Sequence, residues 1–409
     1  MKPVYALRFL VLISLLSLST FPTQANTSSE EKDEGFRFFG FVKHDMFYDS
    51  RAMVAARQGQ FSLYPAPVLN NEAGNDRNDV PQFHMLAIQS RLGVESPSFE
   101  AFGAQARGFV EGAFFGNIES DINGFRLRHA FVELSWNGRH RLLTGQYWHP
   151  MFAVNAVPGV VAFNTGAPFK PFSRNPQVRY TFSPGSTEYI AAAMSQIDFA
   201  SQGGTYPLRR SGIPNLHGQI RQHFGHFIAG AGVDFKALRP DILSGEEYVY
   251  SFAGTAFGTY TSGNTRVMAQ FTYGQNLFDH LMLGGIGLDQ PDPDDSLNYS
   301  LINISSGAAW MDISHGNRFR GGLFAGYTQN FGAEEAFSGG TALPAYRGAD
   351  IESVWRIAPR AEWNSGPVRL SLEAEISTAA YGTPDNEGVV RNTKDATNFR
   401  LLFASWFFF

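Results

Sequence analysis

The chain carries 26 arginines but only 6 lysines among 409 residues, although its formal net charge is −5. A guanidinium offers a planar fork of donors that grips carboxylates, sulfates or phosphates through two bonds, and it stays charged when partly dehydrated. Most of these arginines fall on the more polar parity of stretches in which apolar and polar residues alternate. With the apolar parity turned outward, the inward set is Lys43, Arg91, Arg107, Arg126, Arg128, Arg179, Arg221, Lys236, Arg266, Arg318, Arg320, Arg356, Arg360, Arg369 and Arg400. The acidic residues of the same faces are Asp45, Glu95, Glu111, Glu188, Asp234, Glu362, Glu373 and Glu375. A cavity so lined would raise the local concentration of anions. Cross-strand pairing with Glu111, Glu373 and Glu375 would absorb part of the excess. The compensating negative charge lies in connections, above all residues 276–299, which hold Asp279, Asp289, Asp292, Asp294 and Asp295 without a lysine or arginine.

A second cationic feature is the segment 149–175, apolar and rich in glycine and proline, with Lys170 and Arg174 and no acidic residue. Its apolar side chains need cover. Folding it into the mouth of a barrel would bury them and build a cationic constriction. Covalent chemistry finds little support. There is no cysteine, no G-x-S-x-G and no H-E-x-x-H, so the nucleophile–base pair or metal box of a barrel phospholipase or protease lacks its signature. The ten histidines are scattered, His217 and His223 being the nearest approach to a cluster on one parity, and both read as polar lining. Gly284, Gly285 and Gly287 lie in a loop without the strand–helix context of a nucleotide fingerprint. The aspartates from Asp289 to Asp295 suit a solvated loop; Ca²⁺ or lipopolysaccharide bridged by divalent cations is the alternative. No cofactor or metal is expected, and the charge gives no reason to invoke nucleic acid.

The elements that position these residues read as strands. Period-two alternation bounded by turn residues gives sixteen: 36–48, 83–95, 100–115, 124–136, 140–148, 176–183, 186–197, 215–224, 226–237, 247–261, 265–275, 300–313, 317–329, 352–363, 367–379 and 397–409. Even-numbered strands are followed by short turns such as Ser96-Pro97-Ser98, Asn137-Gly138 and Gly225, and odd-numbered ones by longer connections. That alternation is the habit of outer-membrane barrels. The fold expected is all-β, a sixteen-stranded antiparallel transmembrane barrel of porin type with an inward third outer loop. In the fourth strand the chosen parity sends His129 and Glu133 toward lipid, so its register is open to a switch. Pro359, within the fourteenth strand, predicts a bulge or local break.

The two ends agree with that fold. Lys2 and Arg8 precede an apolar run from Phe9 to Leu18, followed by small residues up to Ala25, the layout of a secretory signal. Residues 26–35 then form a short periplasmic tether and 36–409 the barrel. At the other end Phe399, Leu401, Phe403, Phe407 and Phe409 share one parity, with Arg400 on the other. This ending resembles the aromatic C-terminal signature of bacterial outer-membrane barrels, which the assembly machinery reads.

Four motifs carry a more specific likeness: Gly40-Phe41-Val42-Lys43-His44-Asp45, Gln89-Ser90-Arg91-Leu92-Gly93-Val94, Arg126-Leu127-Arg128-His129-Ala130-Phe131-Val132, and Thr144-Gly145-Gln146-Tyr147-Trp148. In order and spacing they resemble the DcaP-like porins. The resemblance implies a homotrimer in the Gram-negative outer membrane, among lipids and lipopolysaccharide, passing small and often anionic solutes such as dicarboxylates. The N-terminal coiled-coil extension common in that family has no counterpart here. The competing readings are a surface-binding or structural barrel that conducts little and, further off, a barrel enzyme.

Overall fold

The computed structural model describes residues 35–240, 248–289, 299–338 and 346–409. The expected export signal and most of the tether therefore lie outside the described residues, as do Asp292, Asp294 and Asp295. The architecture is a closed antiparallel barrel of sixteen strands. They are β1 (Arg37–Asp49), β2 (in three segments, Gln82–Leu86, Arg91–Glu95 and Phe99–Ala101), β3 (Ala104–Ala113), β4 (Arg126–Trp136), β5 (His140–Trp148) and β6 (Arg174–Phe182). There follow β7 (Thr187–Met194), β8 (Asn215–Phe224), β9 (Phe227–Leu238), β10 (Val249–Ser262) and β11 (Thr265–Gln275). The circuit ends with β12 (Ser300–Gly316), β13 (Phe319–Ala333), β14 (Ile351–Ser365), β15 (Val368–Pro384) and β16 (Val390–Phe408). Each strand pairs with the next, and β16 pairs back onto β1 with Phe41 opposite Phe408 and Asp49 opposite Arg400. Closure leaves no edge whose backbone groups would face an apolar medium unpaired.

Alternation builds the wall. On β16, Phe399, Leu401 and Phe407 are exposed on the outside, while Arg400, Leu402 and Ala404 are buried on the inside. The outer face carries exposed apolar residues around the circuit, among them Val178, Ile220, Phe252, Met311, Trp355 and Leu372. Among the described residues, no helix is long and apolar enough to cross a membrane.

Three local expectations need correction, and at Pro359 the expected local break is present without a bulge. The hairpin between β2 and β3 turns at Phe102-Gly103, both with positive φ, whereas Ser96 to Ser98 interrupt β2 without ending it. Two consecutive left-handed residues match the twist of a two-residue hairpin, which a Ser-Pro-Ser sequence cannot supply as readily. The last long connection, expected over 380–396, is mostly strand: β15 continues to Pro384 and β16 begins at Val390. Those extensions are polar on both faces, so they lack the alternation that revealed the rest. In β4 a bulge at Arg128 settles the register, because Glu111 opposes His129 while Gly112 opposes Leu127. The extra residue keeps Arg126, Arg128, His129 and Glu133 all on the inner side, so Glu133 pairs with Arg107 instead of facing outward. At Pro359 no residue is inserted: Ile357 opposes Ile376 and Arg360 opposes Glu373 in one register. Pro359 sits on the exposed outer face, and the ladder is interrupted there without slipping.

Two connections are buried against side chains of the strands. The first forms a hairpin, Met53–Ala56 with Phe61–Pro65, whose second arm is buried along its length. The third, residues 149–173, is buried at Met151, Phe152, Ala156, Ala167 and Phe169.

Candidate functional site

The inner face divides into a dry part beneath the two folded connections and a wetter part nearer the short turns. In the dry part, Lys43 on β1 sends its ammonium to Asp45 at 3.0 Å and to the carbonyl of Val161 at 2.8 Å. From β15, Glu373 accepts the N–H groups of Val161 and Ala162. Arg356 on β14 donates to the carbonyls of Ala167 and Leu63 and lies 3.3 Å from Glu375. Arg360, its neighbour along the same face, forms a two-pronged pair with Asp312. Arg400 does the same with Asp49, at 2.8 and 2.7 Å, and also reaches Ser62 and the carbonyl of Gly59 in the first hairpin. These charges are almost wholly shielded from water, and each has at least one partner, while Arg356 Nε, Arg360 Nε, Asp45 Oδ1 and Glu375 Oε1 have no hydrogen bond among the described residues.

Lys170 is placed differently from the sequence expectation. Its ammonium does not face a passage. It points into its own loop, donating to the carbonyls of Phe152 and Ala156 and to Gln270, with the rings of Phe152 and Trp310 at 4.3 and 5.4 Å. Burial drives it well below the usual lysine range. It shapes the loop and cannot meet a solute. Arg174, at the start of β6, shares Asp198 with Arg126.

The wetter part holds Arg91, Arg107, Arg221, Arg318, Arg320 and Arg369; Arg126, the first residue of β4, lies instead at the end carrying the long connections, beside Arg174. Arg107 bridges Glu95 and Glu133, Arg128 pairs with Glu111, and Arg221 shares Glu188 with Arg141. Arg320 and Arg369 both lie 3.6 Å from Glu362. Pairing thus takes up most of the list. Arg266 and Arg318 are exposed and, among the described residues, have no carboxylate within ion-pair distance; Arg266 donates to the Asn155 carbonyl, whereas Arg318, expected inward, occupies a short turn over the outward Phe319 ring. Arg179 is held by Gln177 and the Trp148 carbonyl, again without an acid. Arg91 lies over the Phe41 ring and its Nε has no partner.

Several residues that matter here carried no signal in the sequence. Asp49, Asp198 and Asp312 accept buried arginines but sit at strand ends or in connections, or oppose their partners across the sheet. Lys236, expected inward, and Asp279, expected only as compensating charge in the sixth long connection, form a buried pair at 2.5 Å. His149, Asp234 and His280 approach one another closely enough to suggest a metal site. The bonding of His149 argues otherwise: its Nδ1 accepts from the Met151 N–H, so Nε2 carries the proton and is directed at Asn215. That imidazole fastens the start of the third connection. His217 joins Asp234 while His223 turns to Glu188, so the two do not form a cluster.

No family profile matches the sequence, and no curated protein matches it. Solved structures do. The outer membrane channel DcaP of Acinetobacter baumannii is similar at 17% identity with a TM-score of 0.67, the match covering 91% of this chain and 97% of that one. An anion-selective porin from Comamonas acidovorans gives 13% identity and a TM-score of 0.55 over 91% of this chain and 99% of that one. The outer membrane protein OmpT of Vibrio cholerae gives 12% and 0.54 over 93% and 99%. At such identities the likeness is one of fold, and it agrees with the likeness to DcaP-like porins read from the motifs. The chain has the sixteen-stranded barrel fold of the outer-membrane porins.

Proposed function

We propose that the protein is an outer-membrane porin, a passive path for small hydrophilic solutes that favours anions, dicarboxylates among them. The observation that carries this reading is the inner face itself: Arg266 stands exposed there and, among the described residues, has no carboxylate within ion-pair distance, beside guanidiniums that are paired. A lumen with surplus fixed positive charge concentrates anions and repels cations. The proposal includes export by the N-terminal signal, insertion guided by Phe409, a lipid and lipopolysaccharide surround in the Gram-negative outer membrane, and a homotrimer. It assigns the narrowest passage to the space left by residues 149–173 and by the first hairpin.

Reconstitution into planar bilayers tests it. Stepwise conductance with a reversal potential displaced toward anions in a KCl gradient is expected. Steps with cation preference would overturn the anion reading. Absence of steps would instead favour a barrel closed by its own connections, a reading supported by the dry packing around Lys43, Arg356 and Arg400.

A further inference from the structure

At the end carrying the long connections lies a cavity of about 640 Å³, within the range that holds small ligands. It is bounded by the first hairpin, the third connection and the segments around residues 115–117, 197–200, 278–281 and 347. Two kinds of side chain dominate it.

The first is a continuous wall of rings. Phe115 lies 4.3 Å from Phe163, Phe163 meets Phe61 edge-on at 5.4 Å, and Phe61 meets Phe172 at 5.2 Å. The second is a set of four guanidiniums at its margin. Arg57 sits 5.2 Å over Phe115, Arg347 4.4 Å over Phe278, and Arg174 5.7 Å over Phe172, with Arg126 beside Arg174. Against these four stand three carboxylates, one of them Glu119, which accepts the Arg57 N–H and lies beside its guanidinium. Asp198 is shared by Arg126 and Arg174, and Asp279 is held by Lys236. Positive charge is therefore in excess. It is also unfinished, since Arg174 Nη1, Arg126 Nε and Arg347 Nε are buried and find no hydrogen-bond partner among the described residues. Arg174 is only 3% exposed. An unpaired buried N–H of a charged group is costly, so these donors favour an anion that brings acceptors to them. Burial already pushes the Arg347 guanidinium below its ordinary value.

From this juxtaposition we infer that the cavity is a binding site for aromatic monoanions, whose ring lies against the Phe115–Phe163–Phe61 wall and whose carboxylate meets the unpaired donors of Arg174, Arg126 and Arg347. Aliphatic dicarboxylates suit the cavity less well, because their second charge would be set against phenylalanine rings and lose its hydration. The site deepens the channel reading and rests on it for the direction of solute travel, whereas binding is measured without conductance.

The test is calorimetry on the full chain in detergent, with benzoate, propionate and glutarate as probes. Benzoate is expected to bind about tenfold more tightly than propionate, the share of one buried ring, and more tightly than glutarate. The Phe115→Leu substitution keeps apolar bulk but removes the ring face; it should weaken benzoate about threefold and leave propionate unchanged. Arg347→Gln should weaken benzoate and propionate alike. Equal affinities for the three probes, or a Phe115→Leu protein that binds benzoate as before, would overturn the assignment. Conductance without ring preference removes this site and leaves the channel reading standing. Ring-selective binding without conductance keeps the site and removes the channel.

Discussion

The carboxylate of Glu373 accepts two consecutive backbone N–H groups, from Val161 at 2.8 Å and Ala162 at 3.0 Å. Glu373 belongs to β15 and the acceptor pair closes a distance that the chain spans only through the tertiary fold. One side chain thus anchors the far reach of the third connection to the wall. Glu373→Gln keeps one acceptor oxygen and sets an amide against the other N–H. An N–H left unpaired in a buried site costs about 1–3 kcal/mol. The expected outcome is a looser segment, seen as noisier and larger single-channel steps with Glu373→Gln and more so with Glu373→Ala. Unchanged conductance and noise in both would show that this anchor does not control the passage.

Lys170 and the exposed arginines should separate cleanly in selectivity. Because the Lys170 ammonium is turned into its own loop, Lys170→Met is expected to leave the reversal potential in a KCl gradient unmoved while lowering thermal resistance. Arg266→Glu and Arg318→Glu each replace an exposed positive charge by a negative one and should displace the reversal potential toward cations. A large shift with Lys170→Met, or none with the two arginine reversals, contradicts the placement of charge described above.

The pair Arg400–Asp49 joins the last strand to the first where the barrel closes. Asn398 also donates to Asp49, so removing either charge strands several polar groups in a dry place. Arg400→Ala is expected to lose about 3–5 kcal/mol, the usual cost of halving a buried pair. The measurement is the unfolding midpoint in denaturant. Replacing both partners with apolar residues of similar size should recover part of that loss; a double variant no better than the single one would argue against charge stranding as the cause.

Acid should loosen the sixth connection. Burial drives the His280 imidazole down to about 3. The unfolded chain, whose imidazole titrates near ~6.5, takes up a proton first as pH falls. The contribution of neutral His280 is whole above ~6.5 and is lost progressively toward about 3. Burial pushes Asp279 upward, but the paired Lys236 ammonium outweighs it and holds it below the usual carboxylate range. Its contribution is present above the ordinary aspartate value and is lost as pH falls through the lower folded one. Both act in the same direction. The unfolding midpoint should decline between pH 6 and pH 4 by an amount that His280→Gln reduces (that window follows from the imidazole range above). A profile identical in wild type and variant would remove His280 from the account.

Much of this was legible in the sequence wherever an alternating face met two different environments. The sixteen strands, the parity of Phe399 to Phe407, and the inward placement of Arg107, Arg356, Arg360 and Arg400 all follow from that contrast. Where both faces are wet the contrast disappears, which is why residues 390–396 read as loop and are strand. A bulge adds one residue without a compositional mark, so the choice between Arg126/Arg128 and His129/Glu133 on β4 had no local solution; both pairs turn inward. The third connection advertised itself by being apolar, yet the destination of Lys170 depended on carbonyls whose direction only the folded loop fixes. The first hairpin gave less warning, since Phe61–Pro65 is short and its cover is supplied by Arg356, Tyr381 and Arg400, far along the chain. Partners such as Asp49 and Asp198 were equally hidden, because pairing across a closed sheet is set by register.

The third connection leaves the wall between β5 and β6 and is fastened at Ala167 to Arg356 on β14, eight strands from β6 and so half of the way round the circuit. It is tied as well to β1, β10, β11 and β15. A hollow tube flattens easily under sideways load, but a strut across its diameter carries that load in compression and tension. The segment therefore holds the cross-section round. In the bilayer setting proposed above, lateral pressure would meet a ring braced by these ties.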